Sequence, residues 1–166
     1  MTIDQLQKIT ELCQQKKYRP VQVFILYNPK TEFLLVKSPK QPTIWAFPQG
    51  GINPPETFSE NLTRELKEEL GIDSQDLSLI HYAFHEGKVN FGPARQGERG
   101  FSHGKYYLFT LARYNGKEML KPNPAEIEAL QWFSYTQIIA LLSPLKTEKS
   151  NLVKQALDQV KSLLSI

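Results

Sequence analysis

Residues 50–72 read Gly-Gly-Ile-Asn-Pro-Pro-Glu-Thr-Phe-Ser-Glu-Asn-Leu-Thr-Arg-Glu-Leu-Lys-Glu-Glu-Leu-Gly-Ile, and this segment constrains the fold more than any other. Thr57 and Glu60 have the Thr-x-x-Glu spacing of a capping box, which predicts a helix start. Strong helix formers carry the helix to Leu70, and Gly71 supplies its stop. At roughly 100° per residue, Phe58, Leu62, Leu66 and Leu70 form one apolar stripe. An ordinary amphipathic helix places its carboxylates opposite such a stripe. Here Glu65 and Glu69, one turn apart, overlap the Phe58–Leu62 side, with Glu68 beside them. Three acids at the margin of a buried face repel one another and lose hydration unless a cation compensates. Hard divalent cations do so through oxygen ligands, and Mg²⁺ usually takes one or two carboxylates plus phosphate and water. The competing reading is a solvated surface helix with Arg64 and Glu68 as an i,i+4 pair. The preceding Gly-Gly turn and the wheel position weigh against it. Arg64 reads better as a support whose planar fork holds one carboxylate in a ligating orientation.

The rest of the composition narrows the class. A chain of 166 residues suits one compact domain with a full core. A net charge of +3 is a mild hint toward anionic partners, short of the uniform basicity that argues for nucleic acid. The single cysteine, Cys13, excludes an intramolecular disulfide framework and leaves no Cys/His cluster for zinc. The first residues lack the apolar run of a signal peptide, and no stretch approaches membrane-spanning length. A cytoplasmic protein with no membrane partner is the expectation.

Along the chain, Ile3, Leu6, Ile9 and Leu12 recur at helical spacing, which predicts an amphipathic helix over residues 2–16. Val21–Tyr27 and Phe33–Lys37 read as a hairpin around the Asn28–Thr31 turn. Ser38–Thr43, with its two prolines, reads as a loop. Leu77–His85 is a strand, and residues 86–105 read as a long, polar, glycine-rich loop of the kind that is often functional. Tyr106–Tyr114 and Ala129–Phe133 are further strands, and Thr136–Leu142 is a short helix. Ser150 is the expected cap of a final helix with Leu152, Val153, Ala156, Leu157, Val160 and Leu164 inward. Strands on both sides of a central helix, with more helices at the end, imply an α+β or α/β/α layered domain.

Gly50, Glu56, Arg64, Glu65, Leu66, Glu68, Glu69, Gly71 and Ile72 occupy every specified position of the Nudix box, G-x(5)-E-x(7)-R-E-U-x-E-E-x-G-U, with U a bulky aliphatic residue. The chain therefore resembles the Nudix hydrolases. Tyr-Arg-Pro at 18–20, the Trp45–Pro54 run and Gln-Trp-Phe-Ser-Tyr at 131–135 resemble one branch in particular. That branch comprises the bacterial RNA 5′-pyrophosphohydrolases and the dinucleoside polyphosphate hydrolases. The resemblance divides the chain into an N-terminal helical extension, 1–17, and a Nudix domain, 18–166. It implies the Nudix fold, a mixed sheet sandwiched between helices.

The same resemblance implies that Glu65, Glu68 and Glu69 bind catalytic Mg²⁺, with Mn²⁺ as an alternative, and that a backbone carbonyl at the Gln49–Gly50 turn contributes. A further acid, as metal ligand or base, belongs in the loop before the last strand. By register against Trp132-Phe133-Ser134 it is Glu126, with Glu128 second. The implied reaction is attack of a metal-positioned water on a polyphosphate phosphorus, with Glu126 as base and Glu69 as its alternative. Glu56 and Arg64 support the site.

Arg19, Lys37, Lys40, Arg95, Arg99 and Lys105 are candidate phosphate contacts. The 86–105 stretch interleaves its cations with Phe91, Phe101 and His103, which would suit a nucleotide end. Two departures from the branch stand out: Pro55 replaces its usual glycine, and Leu145 stands where an aromatic can precede lysine. The expected partner is a nucleotide or an RNA 5′-end. The alternatives are a catalytically silent domain that binds nucleotide or RNA, and a nucleoside triphosphate or nucleoside diphosphate sugar hydrolase.

Overall fold

A computed structural model of the chain describes residues 3–92, 98–116 and 119–166. The elements run α1 (Ile3–Gln15), β1 (Tyr18–Tyr27), β2 (Phe33–Ser38), β3 (Gln41–Ala46), β4 (Gln49–Gly51), α2 (Phe58–Leu70), β5 (Leu77–Asn90), β6 (Gly104–Tyr114), β7 (Ala129–Phe133), α3 (Tyr135–Leu142) and α4 (Glu148–Leu164). The main path through the sheet is β3-β2-β1-β6-β5, with β4 on β1 and β7 on β2. Among the described residues only β1 and β6 are parallel, paired from Tyr18↔Gly104 to Tyr27↔Arg113; the other pairs are antiparallel. The sheet is mixed, as the family resemblance implies.

Alternate residues of a strand face opposite sides, and both sides here are apolar. Val21, Val23 and Ile25 of β1 and Tyr107, Phe109 and Leu111 of β6 pack with Leu152, Val153, Ala156, Leu157 and Val160 of α4 and Ile138 of α3. On the other side, Phe24 and Leu26 of β1 and Ala112 of β6 pack with Leu62, Leu66 and Leu70 of α2. Helix α1 joins this second side: Ile9, 1% exposed, packs with Ile52, Phe58, Tyr106 and Leu108. Lys8 secures it, with Nζ 2.7 Å from Glu86 and 4.7 Å from the Tyr106 ring centre. The result is an α/β/α sandwich.

Three local expectations need correction. The predicted Ser38–Thr43 loop contains the start of β3, whose first four residues are exposed. Among the described residues β3 pairs with β2 alone, and an edge strand accommodates Pro42 because proline lacks the N–H that a second neighbour would need. The predicted 86–105 loop is shorter, since Glu86–Asn90 pair with Gly104–Leu108. Gly87, which reads as a loop signal, lies where a Cβ would overlap the Leu152 side chain; it is a close-approach glycine inside a strand. The cap of α4 is Thr147, with Ser150 at the third helical position and the two side chains bonded reciprocally to each other's backbone.

Candidate active site

Helix α2 forms as its sequence dictates. The Thr57 hydroxyl accepts from the Glu60 N–H, and the Glu60 carboxylate accepts from the Thr57 N–H at 2.8 Å. Gly71 closes the helix with φ 70°, its N–H donating to the carbonyls of Leu66 and Lys67. Phe58, Leu62, Leu66 and Leu70 are each at most 1% exposed. That rotation puts Glu65 and Glu69 at the edge of the buried face and Glu68 outward.

The Gly-Gly turn is β4, held against β1 by the pairs Val21↔Gly51 and Gln22↔Gly50. Two side chains use the space its glycines leave. A Cβ on Gly50 would collide with the Glu65 carboxyl group, and a Cβ on Gly51 with the Arg19 guanidinium. Both glycines are therefore required for close approach.

Arg64 is the hub of the site. Its Nε and Nη2 donate to the two oxygens of Glu56 at 2.7 and 3.0 Å, a bidentate pair. Nη1 reaches Glu65 at 2.8 Å and Glu68 at 3.4 Å. Nη2 also donates to Asn61 Oδ1 at 2.8 Å and to the Gly51 carbonyl at 3.3 Å. Its hydrogen bonds to Glu56 keep the guanidinium firmly charged, with Glu65 adding to the effect. Arg64 thereby ties helix, turn and acidic row together.

These groups border a cavity of about 490 Å³. Its acidic lining is Glu65, Glu68, Glu69 and Glu126; its basic lining is Arg19, Arg99 and Lys105. Glu126 comes from a distant segment that is bonded to the end of α2. The Lys121 N–H donates to the Leu70 carbonyl at 3.0 Å and the Asn123 N–H to the Glu69 carbonyl at 2.8 Å. Ile127, 4% exposed, anchors the segment beside Glu126. Burial, then the charges of Glu65, Glu126 and Glu68, push the Glu69 carboxyl up to about 8. Burial also raises Glu65, against the opposing pull of Arg64.

Among the described residues, no three His, Cys, Asp or Glu side chains cage an ion by themselves. The donor set still fits Mg²⁺. It is all oxygen, it holds a buried carboxylate that the protein leaves under-compensated, and Mg²⁺ completes its sphere with water and phosphate.

Gly50, Glu65, Glu68, Glu69, Glu126, Arg19, Arg99 and Lys105 thus share one cavity, and Glu56 and Arg64 support it. Lys37 and Lys40 lie outside the lining: Lys37 Nζ sits 4.7 Å from the Trp45 ring centre, and Lys40 is exposed on the turn between β2 and β3. Arg95 lies outside the described residues. Glu128 is exposed and does not line the cavity, whereas Glu126 does. Sequence reasoning missed Asn123, whose side chain accepts from the Ala125 N–H and whose Asn-Pro dipeptide is a turn signal. It also missed Lys149, which donates to the Gln49 side chain at 3.1 Å, and the buried Asn61.

Comparison with known proteins agrees with this fold. Residues 17–156 match the NUDIX domain family. An RNA pyrophosphohydrolase of Stutzerimonas stutzeri is 32% identical over 126 residues, covering 71% of this chain and 77% of that protein. The NAD-capped RNA hydrolase NudC of Deinococcus radiodurans is 31% identical over 131 residues, 78% of this chain but only 41% of that protein. A crystal structure of a C. elegans Ap4A hydrolase binary complex superimposes with a TM-score of 0.63 at 21% identity, covering 87% of this chain and 98% of that one.

Proposed function

Since the chain belongs to the Nudix family, we propose that it is a Mg²⁺-dependent pyrophosphohydrolase, with Mn²⁺ as an alternative metal, that cleaves a diphosphate linkage at nucleoside polyphosphate ends. RNA 5′-triphosphates and dinucleoside polyphosphates are the substrates, in keeping with the names of the relatives. The observation that carries the reading is the pairing of an acidic row with a basic rim in one cavity. A polyphosphate needs both, cations for its oxygens and carboxylates for metal and proton.

Mg²⁺ held by Glu65, Glu68, Glu69 and the Gly50 carbonyl would neutralise phosphate oxygens and lower the pKa of the attacking water. The chain does the rest. Arg19, Arg99 and Lys105 bind the phosphate chain from the rim. Glu126 accepts the proton of the attacking water, with Glu69 as the alternative acceptor. As the water oxygen bonds to phosphorus, the bridging P–O bond breaks and the nucleotide or phosphate on its far side departs as an anion. Arg64 holds Glu65 in place.

The test is a length series of 5′-triphosphorylated RNA beside diadenosine tetraphosphate, at two salt concentrations, with and without Mg²⁺. Both substrates should be cleaved only with metal. RNA length beyond two or three nucleotides should add little, because each further phosphate contact would steepen the salt slope by about 0.7 and the rim offers few cations. Steep gains with length and a steep salt penalty would show an extended RNA track. Cleavage of neither substrate would refute the reading.

A further inference from the structure

Beneath Arg64 runs a polar chain through an otherwise apolar interior. Asn61 Oδ1 accepts from Arg64 Nη2 at 2.8 Å. Asn61 Nδ2 donates to Gln22 Oε1 at 2.9 Å, and Gln22 Nε2 donates to Thr110 Oγ1 at 2.8 Å. Asn61 and Gln22 are 0% exposed and Thr110 is 1% exposed. The three residues lie on α2, β1 and β6, so the chain crosses from the helix into the middle of the sheet.

Its polarity is forced from the Arg64 end. A guanidinium only donates, so Asn61 must turn its oxygen toward it and its NH₂ toward Gln22. Gln22 must then present its oxygen to Asn61 and its NH₂ to Thr110. Each amide has one allowed orientation, and each link polarises the next. The chain ends in a carbonyl oxygen held rigidly against the guanidinium that also grips Glu56, Glu65 and the Gly51 carbonyl.

We propose that Asn61, braced by Gln22 and Thr110, is a positioning residue that sets the plane of Arg64 and thereby the readiness of the glutamate row to bind a divalent cation. The proposal rests on the reading of that row as the metal site. Groups that orient metal ligands typically contribute 10–100-fold to affinity.

The experiment is Mn²⁺ titration of the full chain without substrate, followed by electron paramagnetic resonance, beside thermal melts in chelator. Asn61→Ala should weaken Mn²⁺ binding by roughly 10-fold. Thr110→Val has nearly the same shape and removes only the remote hydroxyl. It should shift the affinity in the same direction by a smaller factor, and Thr110→Ser should restore it. At saturating Mg²⁺ the KM for substrate should not move. Lower melting temperatures with wild-type Mn²⁺ affinity in both Asn61→Ala and Thr110→Val would overturn the proposal and leave the chain a stabilising core feature. If Asn61→Ala does not fold, Thr110→Val and Thr110→Ser decide alone. Failure of the substrate reading would appear separately, as normal Mn²⁺ binding without hydrolysis.

Discussion

The two faces of the central sheet are built to different rules. Under α3 and α4 the interior is aliphatic and aromatic, from Val21 and Phe109 to Leu157 and Val160. Its buried polar side chain, Ser150, sits at the start of α4 and bonds to the carbonyls of Leu145 and Thr147. Under α2 the interior buries Gln22, Asn61 and Thr110 in the middle of the packing. Buried polar groups cost free energy unless every partner is met, so an apolar face is the simpler route to stability. The polar face lies directly beneath the acidic row. One face holds the fold together, and on our proposal the other also orients chemistry.

This contrast can be broken or sharpened by experiment, ranked by effect on turnover. Glu69→Gln puts an amide that cannot ionise on metal binding at the centre of the row and should lower turnover by at least ~10²-fold, the scale of one major electrostatic contribution. Its melting temperature in chelator should be unchanged or higher, because repulsion from Glu65, Glu126 and Glu68 is relieved. Near-normal turnover, or a sharp loss of metal-free stability, would place Glu69 with the structural residues. Glu126→Gln should reduce kcat by roughly 10²-fold, the lower end for a lost general base, with a much smaller change in substrate binding. Glu128→Gln should be mild in the same assay, and the reverse ranking would move the role by two residues.

A third measurement uses pH. The folded-state Glu69 carboxyl titrates at about 8, above the usual value near 4.5. Its protonated form therefore favours the folded state. That contribution is fully present below about pH 4.5 and is lost as pH rises through about 8. In chelator, the melting temperature of the wild type relative to Glu69→Gln should fall between pH 5 and 9. Added Mg²⁺ should flatten or reverse that slope. A pH-independent difference would show that Glu69 carries no such penalty.

The smallest effect on turnover belongs to the other face. Leu157→Ala, at a fully buried position of α4, should cost about 2–5 kcal/mol of stability. Below its melting range it should leave Mn²⁺ affinity and turnover near wild type. A large loss of metal affinity would dissolve the distinction between the faces.

Legibility followed the distance over which each feature is specified. The Thr57–Glu60 cap, the Phe58–Leu70 stripe and the Gly71 stop are local, and each stands as its spacing predicts. Glu126 was reachable only by register, because its neighbourhood to Glu69 depends on hydrogen bonds to the end of α2. The Asn61–Gln22–Thr110 chain was not legible. Its links join residues 39 and 88 positions apart, and within their own elements these are unremarkable polar positions. Strands β3 and β5 were misjudged for a related reason. Pro42 and Gly87 are breakers by local rule, but an edge position and the Leu152 side chain give them a place in the sheet.

The attachment of the 121–127 segment to α2 has an evolutionary consequence. Glu126 shares one backbone framework with the helix that carries Glu65 and Glu69. Arg99 instead belongs to the connection between β5 and β6, which is fastened through Ser102 and His103 to the carbonyls of Lys16 and Lys17. The molecule is thus divisible into a reaction cassette and an exchangeable brim. On the proposed function, altering the brim would change which molecules are admitted without re-solving the placement of the acids. One reactive framework could in this way be refitted to new substrates by remodelling a single connection.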